Sequence, residues 1–416
     1  MKIEILSIGN ELLIGQVVNT NASWMAEQLN LAGFWVDRIT VVPDKREDIL
    51  SVLRETEKRA SIVLVTGGLG PTKDDITREV LCTFFETRLV FNEDAFRDIE
   101  KLFGNRGILV TELNRKQAEL PENCTTIPNP NGTARGMWFS KEHDQGRTEF
   151  IFMPGVPFEM KPMLTDSIIP ELLKKFRSKK IYHKTVLTQG LGESFLSVLL
   201  EEWEDNLPEN ISLAYLPQPG IVRLRLTAIG DDAAFIKNQV KNEVESLLKI
   251  IPEYFYGFDD DKLEVIIGNL LQKKSATLAT AESCTGGYIA HLITSVPGSS
   301  NYYKGSVIAY SNEIKESELG VLRESLISFG AVSEQVVREM AEGVREKFNT
   351  TFAIATSGIA GPDGGTPEKP VGTTWIAIAT PEKTIAHKYL FGEGRDRNIR
   401  KTALQALNLL RKELLY

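Results

Sequence analysis

Alternation of apolar and polar positions divides the start of the chain into strands and helices that follow one another. Ile3–Ile8 predicts a short strand, residues 19–31 predict an amphipathic helix, and residues 35–42 predict a second strand. A second helix is predicted over residues 46–59, and it leads into Ile62–Thr66, which is apolar up to its final threonine. A continuously apolar strand is typical of a parallel sheet that helices cover on both faces. The pattern therefore predicts an α/β fold for this part.

The middle of the chain has a different order of elements. The pattern predicts a strand, a helix, two strands joined by a Pro217–Gly220 turn, and a second helix, over residues 181–188, 193–203, 211–216, 221–228 and 233–248. Residues 253–261 contain a glycine and three consecutive aspartates, and they predict a linker. We therefore expect a small α+β module between two larger domains.

In the last third, a possible nucleophile lies between an apolar run and an amphipathic one. Residues 276–280 predict a buried strand and residues 288–293 predict a helix, so Ser283 falls on the turn that joins them. Unpaired N–H groups at the start of a helix can hold the negative oxygen of an attacked carbonyl, which suits acyl transfer. The alternative is that Ser283 and Thr285 only cap the helix.

Composition limits the class of protein. A chain of 416 residues predicts two or three domains. With 42% hydrophobic and 25% charged residues, and no apolar run of membrane-spanning length, it has the character of a soluble globular protein. The net charge of −8 argues against general affinity for nucleic acid but leaves room for a local basic patch. Three scattered cysteines argue against a disulfide framework or a zinc cluster. The amino terminus has no secretory pattern, so we expect a cytoplasmic protein without a membrane partner.

A glycine-rich segment follows the apolar strand of the first domain. Gly67, Gly68 and Gly70 precede a helix predicted over residues 76–85. Backbone N–H groups of glycines can approach an anion closely, so we expect a phosphate site, although the ending of a P-loop is missing. Asp74 and Asp75 either hold a hard cation here or only stabilise the start of the helix.

Three segments together carry a family resemblance. Residues 281–287, 309–315 and 356–366 closely resemble the nicotinamide-nucleotide amidase domain of the CinA (competence/damage-inducible) family, over residues 263–415. Residues 9–15 and 153–160, with the glycine segment, resemble the molybdopterin-binding-like domain that begins CinA proteins.

The resemblance implies a multidomain α/β protein. Its expected parts are a parallel-sheet molybdopterin-binding-like domain over 1–170, a KH-like α+β module over 178–252 and an α/β amidase domain over 262–416. The Gly-x-x-Gly clamp of RNA-binding KH domains is absent, so a structural spacer is the preferred interpretation of the module. A homodimer is also expected.

For the amidase domain, the resemblance implies a Ser-Lys site acting on nicotinamide mononucleotide, with nicotinate mononucleotide and ammonia as products. Ser283 is the expected nucleophile and Lys315 its base, which must be neutral part of the time, with Tyr310 and Ser357 as further catalytic residues. No metal or other cofactor is expected there. Cys284 has two interpretations: it is either the alternative nucleophile or a small packing residue at the start of the helix. The expected substrate contacts are Glu282, Thr285, Gly286, Thr356, Gly361, Gly364, Gly365 and Arg400.

For the first domain, the resemblance implies hydrolysis of ADP-ribose with a divalent metal ion. The expected metal contacts are Asn10, Glu11, Asp74 and Asp75, and the expected phosphate contacts are Gly67, Gly68 and Gly70. Glu159 is a further candidate that could equally be the acidic start of a helix, and residues 128–136 predict a surface loop near this edge. The rival hypotheses are pterin chemistry in this fold and a non-catalytic nucleotide- or molybdopterin-binding protein linked to competence or DNA damage.

Overall fold

The computed structural model describes residues 1–72, 75–104, 109–144 and 146–415. The chain forms two compact units, one made of Met1–Tyr182 with Ile229–Ala233 and the other of His183–Ala228 with Ala234–Tyr416. Within the described residues, no helix combines the length and apolar character needed to cross a membrane.

The first unit alternates strands and helices as the pattern predicts. Its strands are β1 (Ile3–Ile8), β2 (Val36–Val42), β3 (Ile62–Thr66), β4 (Leu89–Phe91), β5 (Glu119–Pro121), β6 (Thr125–Ile127), β7 (Gly136–His143) and β8 (Gly146–Met153). Its helices are α1 (Asn10–Leu13), α2 (Thr20–Leu31), α3 (Arg46–Glu57), α4 (Thr77–Phe84), α5 (Glu93–Gly104), α6 (Glu112–Lys116), α7 (Pro157–Pro162) and α8 (Ile169–Lys175), with a π-helical turn at Met163–Ile168.

The main sheet of this unit is mixed. Its strand order is β2-β1-β3-β8-β7-β6, in which the first four strands are parallel and the last two run antiparallel to their neighbours. The parallel strands confirm the α/β prediction, whereas the hairpin of β7 and β8 was not predicted. Side chains of β1 and β3 alternate between two buried clusters, with Leu6 and Val65 in one and Ile5 and Leu64 in the other. Both faces are therefore covered, as the apolar run of β3 requires.

The second unit begins with the small module. Its elements are β9 (Lys180–Gln189), α9 (Glu193–Asp205), β10 (Ile211–Gln218), β11 (Ile221–Gly230), α10 (Ala233–Ile250) and β12 (Phe255–Phe258), and the sheet order is β10-β11-β9-β12. The strand β12 lies in the segment predicted to be a linker, so that prediction is wrong. Its aromatic residues favour a strand, Tyr256 is buried, and Asp259 accepts hydrogen bonds from Lys184 and the Thr185 N–H.

The rest of the unit is a second mixed sheet with helices. Its strands are β13 (Leu278–Glu282), β14 (Tyr303–Ile308), β15 (Phe352–Gly358), β16 (Thr373–Ala379) and β17 (Thr384–Leu390). Its helices are α11 (Leu263–Lys273), α12 (Tyr288–Thr294), α13 (Asn312–Leu319), α14 (Arg323–Phe329), α15 (Glu334–Phe348) and α16 (Arg395–Leu415), with a 3-10 turn at Ser299–Asn301. In the order β14-β13-β15-β16-β17 the first three strands are parallel, so their carboxyl ends share one edge.

Small residues determine how closely helices approach that sheet. Alanines of β13, β15 and β16 share one buried cluster with side chains of α15. On α15, a Cβ at Gly343 would overlap the carbonyl oxygen of Leu319, the last residue of α13. The absence of a side chain at Gly343 therefore lets α13 lie directly against α15.

Candidate active site

Ser283 lies at the carboxyl edge of the parallel strands, as its position on a strand-to-helix turn predicts. It follows β13 immediately, and its N–H donates to the carbonyl oxygen of Thr356 on β15 at 3.0 Å. The chain then turns through Gly286 and Gly287, whose φ angles of 59° and 97° are in the left-handed region that favours glycine. The turn thereby directs the chain into α12 with Ser283 fixed at its start.

The carboxylate of Glu282 holds the backbone of this turn and of the helix start by hydrogen bonds. Its side chain is fully buried, and its carboxylate accepts hydrogen bonds from the backbone N–H groups of Gly287, Ile289 and Ala290 at 2.8–3.0 Å. A carboxylate at the first turn of a helix satisfies unpaired donors and the helix dipole. The predicted substrate contact of Glu282 is therefore corrected to a positioning role, because its oxygens are already bonded inside the fold.

Lys315 reaches Ser283 from α13, which begins after the cap Ser311. Its side chain is 1% exposed, and its Nζ lies 3.2 Å from Ser283 Oγ. Nζ also donates to the carbonyl oxygens of Ala309 at 2.7 Å and Tyr310 at 3.5 Å. Among the described residues, no carboxylate forms a salt bridge with Lys315. The predicted serine and lysine are thus brought together in a buried site.

Burial acts in opposite directions on the two groups next to Ser283. It lowers the pKa of Lys315, because the charged ammonium loses its hydration, and nearby Cys284 and Glu313 only partly oppose this. It raises the pKa of the Cys284 thiol to about 12, so the thiol stays protonated and unreactive at neutral pH. The neutral lysine can accept a proton, whereas Cys284 packs as a small apolar side chain beneath Gly358.

The turn also offers two backbone donors. Across the ranges that the structure describes, the N–H groups of Cys284 and Thr285 donate to no oxygen, while those of Gly286 and Gly287 bond to Ser283 O and to Glu282. Free N–H groups beside a nucleophile can stabilise the negative oxygen of a tetrahedral intermediate.

The hydroxyl groups next to Ser283 form hydrogen bonds with other protein atoms. Thr285 Oγ1 and Thr356 Oγ1 lie 2.9 Å apart, and both residues are buried. Ser357 Oγ donates to the carbonyl oxygen of Ala331 at 2.7 Å. No hydrogen bond joins Ser357 to Ser283 or Lys315 in the described part of the chain. Thr356 and Ser357 therefore line the strand beside Ser283, and their catalytic and substrate roles stay predictions.

Tyr310 contributes its backbone rather than its ring to the lysine. The side chain is 61% exposed, and its hydroxyl accepts a hydrogen bond from Arg395 at 3.0 Å. Arg395 also donates to the carbonyl oxygen of Gly361 at 2.9 Å, so it joins the Tyr310 segment to the glycine-rich loop. Sequence reasoning missed Arg395, although its place at the start of α16, close after Gly392 and Gly394, is a signal for a residue at a loop edge.

The glycine-rich loop is anchored at its base and open beyond it. Asn398 is buried, and its amide donates to the carbonyl oxygens of Ala360 and Gly392. Gly361 and Gly364 both have φ of 90°, which glycine adopts without strain. The predicted phosphate contacts Gly361, Gly364 and Gly365 thus belong to one loop next to Arg395.

Arg400 lies further along α16 than Arg395. It lines a cavity of about 510 Å³ with Arg223, Tyr256 and the aspartates that follow β12. Arg395 is the arginine that contacts the glycine-rich loop, and the substrate role of Arg400 stays a prediction.

In the first unit, some predicted residues meet and others do not. Glu11 and Gly67 line a cavity of about 130 Å³ together with Asn21 and Gly155. Gly67 and Gly68 have φ angles of 111° and 66°, and a Cβ on Gly67 would overlap the carbonyl oxygen of Ile8. The two glycines therefore allow the close turn that brings the backbone to the rim of this cavity.

The remaining metal candidates are not gathered around that cavity. The Asn10 N–H donates to Asp44, and Asp75 Oδ2 accepts from the N–H and the hydroxyl of Thr72, close to Gly70. Asp74 lies outside the described residues. Among those described, no three His, Cys, Asp or Glu side chains form a group that could hold a metal ion. The described oxygen atoms are of the kind that hard cations prefer, but they do not assemble a site on their own.

Glu159 and the predicted surface loop belong together. Glu159 lies in the first turn of α7 and accepts a hydrogen bond from the Asn129 amide at 2.7 Å. Asn129 is 5% exposed and its Oδ1 accepts from the N–H groups of Asn131 and Gly132, so the base of the loop is buried rather than on the surface. Glu159 therefore holds the loop, which favours its structural interpretation.

Comparisons with known proteins divide the chain into three matched parts. Residues 260–414 match the family model "CinA C-terminal domain", residues 4–174 "Probable molybdopterin binding domain", and residues 183–257 "Damage-inducible protein CinA KH domain". A CinA-like protein of Cytophaga hutchinsonii is 48% identical over 411 residues, which is 99% of this chain and 97% of that protein. A CinA-like protein of Flavobacterium psychrophilum is 46% identical over 419 residues, covering 100% and 99%.

Among solved structures, the competence/damage inducible protein CihA from Agrobacterium tumefaciens is 36% identical. It covers 37% of this chain and 96% of its own, with a TM-score of 0.36.

Proposed function

The chain belongs to the CinA family, and from that premise we propose that its C-terminal domain is a nicotinamide-nucleotide amidase that converts nicotinamide mononucleotide into nicotinate mononucleotide and ammonia. The observation that carries the proposal is the 3.2 Å approach of Lys315 Nζ to Ser283 Oγ in a buried site. A binding protein has no need of a lysine that is desolvated next to a serine. A Ser-Lys pair is a known arrangement for attack on an amide carbonyl.

The first half of the reaction forms an acyl-enzyme. Neutral Lys315 takes the proton of Ser283 as Oγ attacks the carboxamide carbon. Two of its own N–H groups face the carbonyl oxygens of Ala309 and Tyr310, which turns the lone pair of Nζ toward Ser283. The negative oxygen of the intermediate lies against the free N–H groups of Cys284 and Thr285. Protonated Lys315 then donates its proton to the leaving nitrogen, and ammonia departs.

The second half returns the enzyme to its starting state. A water molecule takes the place of ammonia, Lys315 removes its proton, and the hydroxide attacks the acyl carbon. The bond to Ser283 Oγ breaks, and the proton on Lys315 returns to the serine. Nicotinate mononucleotide is released with both catalytic groups as they began.

The substrate phosphate is assigned to the open side of the site. Arg395 supplies a charge beside the loop of Gly361, Gly364 and Gly365, whose backbone N–H groups can face an anion. The exposed Tyr310 ring next to Arg395 offers a surface for the planar pyridine ring.

For the N-terminal domain, the proposed activity is hydrolysis of ADP-ribose with a divalent metal ion. It is supported by the cavity that Glu11 shares with the tight turn at Gly67. A metal ion would polarise the pyrophosphate there. The chain's own contribution is the Gly67–Gly68 backbone, which can hold a phosphate oxygen, and the carboxylate of Glu11.

The proposal is tested by incubating the full-length protein with nicotinamide mononucleotide, with and without a chelator. Ammonia and nicotinate mononucleotide should form in equal amounts, and the chelator should not change the rate. Mass spectrometry of the protein quenched during turnover should find the acyl group on the peptide at Ser283. An adduct on Cys284 would overturn the Ser-Lys assignment, and absence of ammonia from folded protein would favour the non-catalytic binding protein.

A further inference from the structure

The cavity that Arg400 lines is separate from the Ser283 site. It has a volume of about 510 Å³, and its lining comes from the strands of the small module and from the helices α11, α12 and α16. Neither Ser283 nor Lys315 lines it. Its volume is in the range of sites for small organic molecules.

A nearly buried hydroxyl in the lining has no partner. Tyr256 is 8% exposed, and its hydroxyl forms no hydrogen bond with any residue that the structure describes. The hydroxyl of Tyr302 also has no partner, but it is closed off from solvent, whereas that of Tyr256 is not. Burial raises the pKa of Tyr256, so the hydroxyl keeps its proton at neutral pH and can donate it in a hydrogen bond. A ligand that accepts this bond would satisfy the donor.

Three charged residues of the lining already have partners within the fold. Asp259 forms an ion pair with Lys184 at 2.6 Å. Asp261 accepts a hydrogen bond from the Phe258 N–H at 2.8 Å, and Arg223 donates to the carbonyl oxygen of Asp259 at 3.0 Å. These groups therefore hold the segment after β12 in place and leave the cavity to other charges.

Two groups of opposite charge remain available in the cavity. Arg400 is exposed, and Glu264 is half-buried in the first turn of α11. Neither forms a salt bridge in the described part of the chain. Both charges act on the pKa of Tyr256 after burial, the larger cause, with Glu264 raising it and Arg400 lowering it. A free cation, a free carboxylate and a free donor thus surround the same space.

The charges of the whole lining nearly cancel. Three cations and four carboxylates line the cavity, and one of these carboxylates, Asp259, is paired with Lys184 outside the lining. A ligand with a single charge of either sign would therefore meet repulsion as well as attraction. A ligand that carries both charges can satisfy Arg400 and Glu264 together.

Much of the remaining lining is apolar. Leu187, Ile221, Tyr288 and Leu292 belong to one hydrophobic cluster and also line the cavity. All except Leu187 are half-buried, so part of their surface stays open. Open aliphatic and aromatic surface beside charged groups suits a ligand with a large apolar side chain.

We propose that this cavity binds a zwitterion of the amino-acid type with an aromatic side chain, as a free amino acid or a short peptide. The carboxylate of the ligand accepts hydrogen bonds from the Arg400 guanidinium and the Tyr256 hydroxyl. Its ammonium group donates to Glu264, and its side chain packs against Tyr288 and Leu292. The inference goes beyond the amidase proposal and does not depend on it, because binding is measured without turnover.

The test is isothermal titration calorimetry of the full-length protein with L-phenylalanine, in the absence of nicotinamide mononucleotide. 2-Phenylethylamine lacks the carboxylate and 3-phenylpropionate lacks the ammonium group, so each should bind at least about tenfold more weakly. D-Phenylalanine should also bind more weakly, because it cannot place all three groups at once. The dipeptide alanyl-phenylalanine separates the two sources: tighter binding than L-phenylalanine identifies a peptide ligand, and weaker binding a free amino acid.

Variants of the three polar groups assign the contacts. Arg400→Gln and Glu264→Gln should each raise the dissociation constant for L-phenylalanine at least about threefold, as expected for a charge-assisted bond at an accessible site. Arg400→Gln should leave the affinity for 2-phenylethylamine unchanged, because that ligand has no carboxylate. Tyr256→Phe should weaken L-phenylalanine and leave the melting temperature unchanged, because the hydroxyl has no partner in the described part of the fold.

Arg397→Gln and Glu324→Gln are the matched controls. Arg397 is exposed on the same helix as Arg400 and does not line the cavity. Glu324 lies in the first turn of its helix, as Glu264 does, and is also outside the lining. Both variants should keep the affinity of the unmodified chain. Irradiation with 4-benzoyl-L-phenylalanine should label residues of β12, α11 or α12.

Several results would overturn the proposal. Absence of binding to the folded protein would do so, as would an affinity that Arg400→Gln and Glu264→Gln leave unchanged, or labelling confined to the N-terminal unit. Equal affinity for L-phenylalanine and 3-phenylpropionate would reduce the cavity to a site for anions. Displacement of L-phenylalanine by nicotinamide mononucleotide would assign the cavity to the amidase substrate, whereas ammonia release tests the amidase on its own.

Discussion

The two predicted chemical sites differ in how the chain holds their groups. In the C-terminal domain Ser283 and Lys315 are buried and within 3.2 Å of each other. In the N-terminal domain Glu11 is exposed and lines a small cavity, while Asp75 is bonded to its own loop. A lysine base needs burial to lose its proton, whereas a carboxylate that is buried without a cation beside it is driven toward its neutral form. Burial therefore supports the proposed amidase pair, but it does not point to metal ligands in a structure that contains no metal ion.

The largest effect is expected from the nucleophile. Ser283→Ala should reduce ammonia release from nicotinamide mononucleotide by about three orders of magnitude or more, since no covalent intermediate can form. Cys284→Ala should retain most of the activity, because burial keeps that thiol protonated. The measurement is kcat for both variants after circular dichroism has confirmed folding. The reverse order of the two variants would make the cysteine the nucleophile.

The next effect concerns the base. Lys315→Met should lower kcat by about 10²–10⁴-fold, the range of general base catalysis. In the unmodified chain kcat/KM should rise with pH as Lys315 loses its proton, and it should level off below the ordinary lysine pKa of about 10.4, because burial lowers the pKa. A profile that falls over this range would contradict a lysine base.

Stability provides the control for Lys315→Met. The folded pKa of Lys315 is lower than the unfolded one, so protonation is more costly in the folded chain. The contribution of Lys315 to the free energy of unfolding should therefore decrease as pH falls from the unfolded toward the folded pKa. Lys315→Met should remove this dependence and melt no lower than the unmodified protein at neutral pH. A large loss of stability would show that the lysine acts mainly through packing.

The third prediction tests whether the two sites are independent. Glu11→Gln should reduce metal-dependent ADP-ribose cleavage at least about tenfold, as expected for a group near a metal, and leave ammonia release unchanged. Glu47→Gln, which changes an exposed carboxylate in the first turn of α3, is the control. Loss of both activities in a folded Glu11 variant would show that the sites are coupled.

The fourth prediction separates positioning from substrate contact. Glu282→Gln should lower the free energy of unfolding by about 1–3 kcal/mol, because one amide oxygen cannot replace a carboxylate that accepts three N–H bonds. Glu324→Gln, at an exposed helix start, should change it little. Chemical denaturation measures both. An increase in KM without a change in stability would restore the predicted substrate contact.

The smallest effect is expected at the rim of the amidase site. Arg395→Gln should raise KM for nicotinamide mononucleotide by about threefold to tenfold and leave kcat nearly unchanged, since it removes binding common to the ground and transition states. Arg400→Gln is the paired variant on the same helix. If Arg400→Gln has the larger effect on KM, the substrate phosphate contacts Arg400, as the sequence analysis predicts, and not Arg395.

The sequence predicts elements whose pattern is local and misses contacts that cross the fold. The apolar run of β3 and the turn at Ser283 were predicted because period and turn residues lie close together in the chain. Arg395 was missed because its contacts, Tyr310 and Gly361, are distant in sequence. The strand β12 was missed because the three aspartates that follow it resemble a linker, although Asp259 is bonded to β9. From its proposed role as a base, Lys315 was expected to be buried. Whether it is buried depends on which helices and strands pack around it, which the sequence does not show.

The missing side chain of Gly343 sets a limit on protein engineering. Replacing a helical glycine by alanine is a common route to thermostability. At this position the added methyl group would push against Leu319 and shift α13, which carries Lys315. The hydrogen atom in place of a side chain at Gly343 therefore sets how closely α13 approaches α15, and a design that raises helix propensity there would displace the helix that brings Lys315 to Ser283.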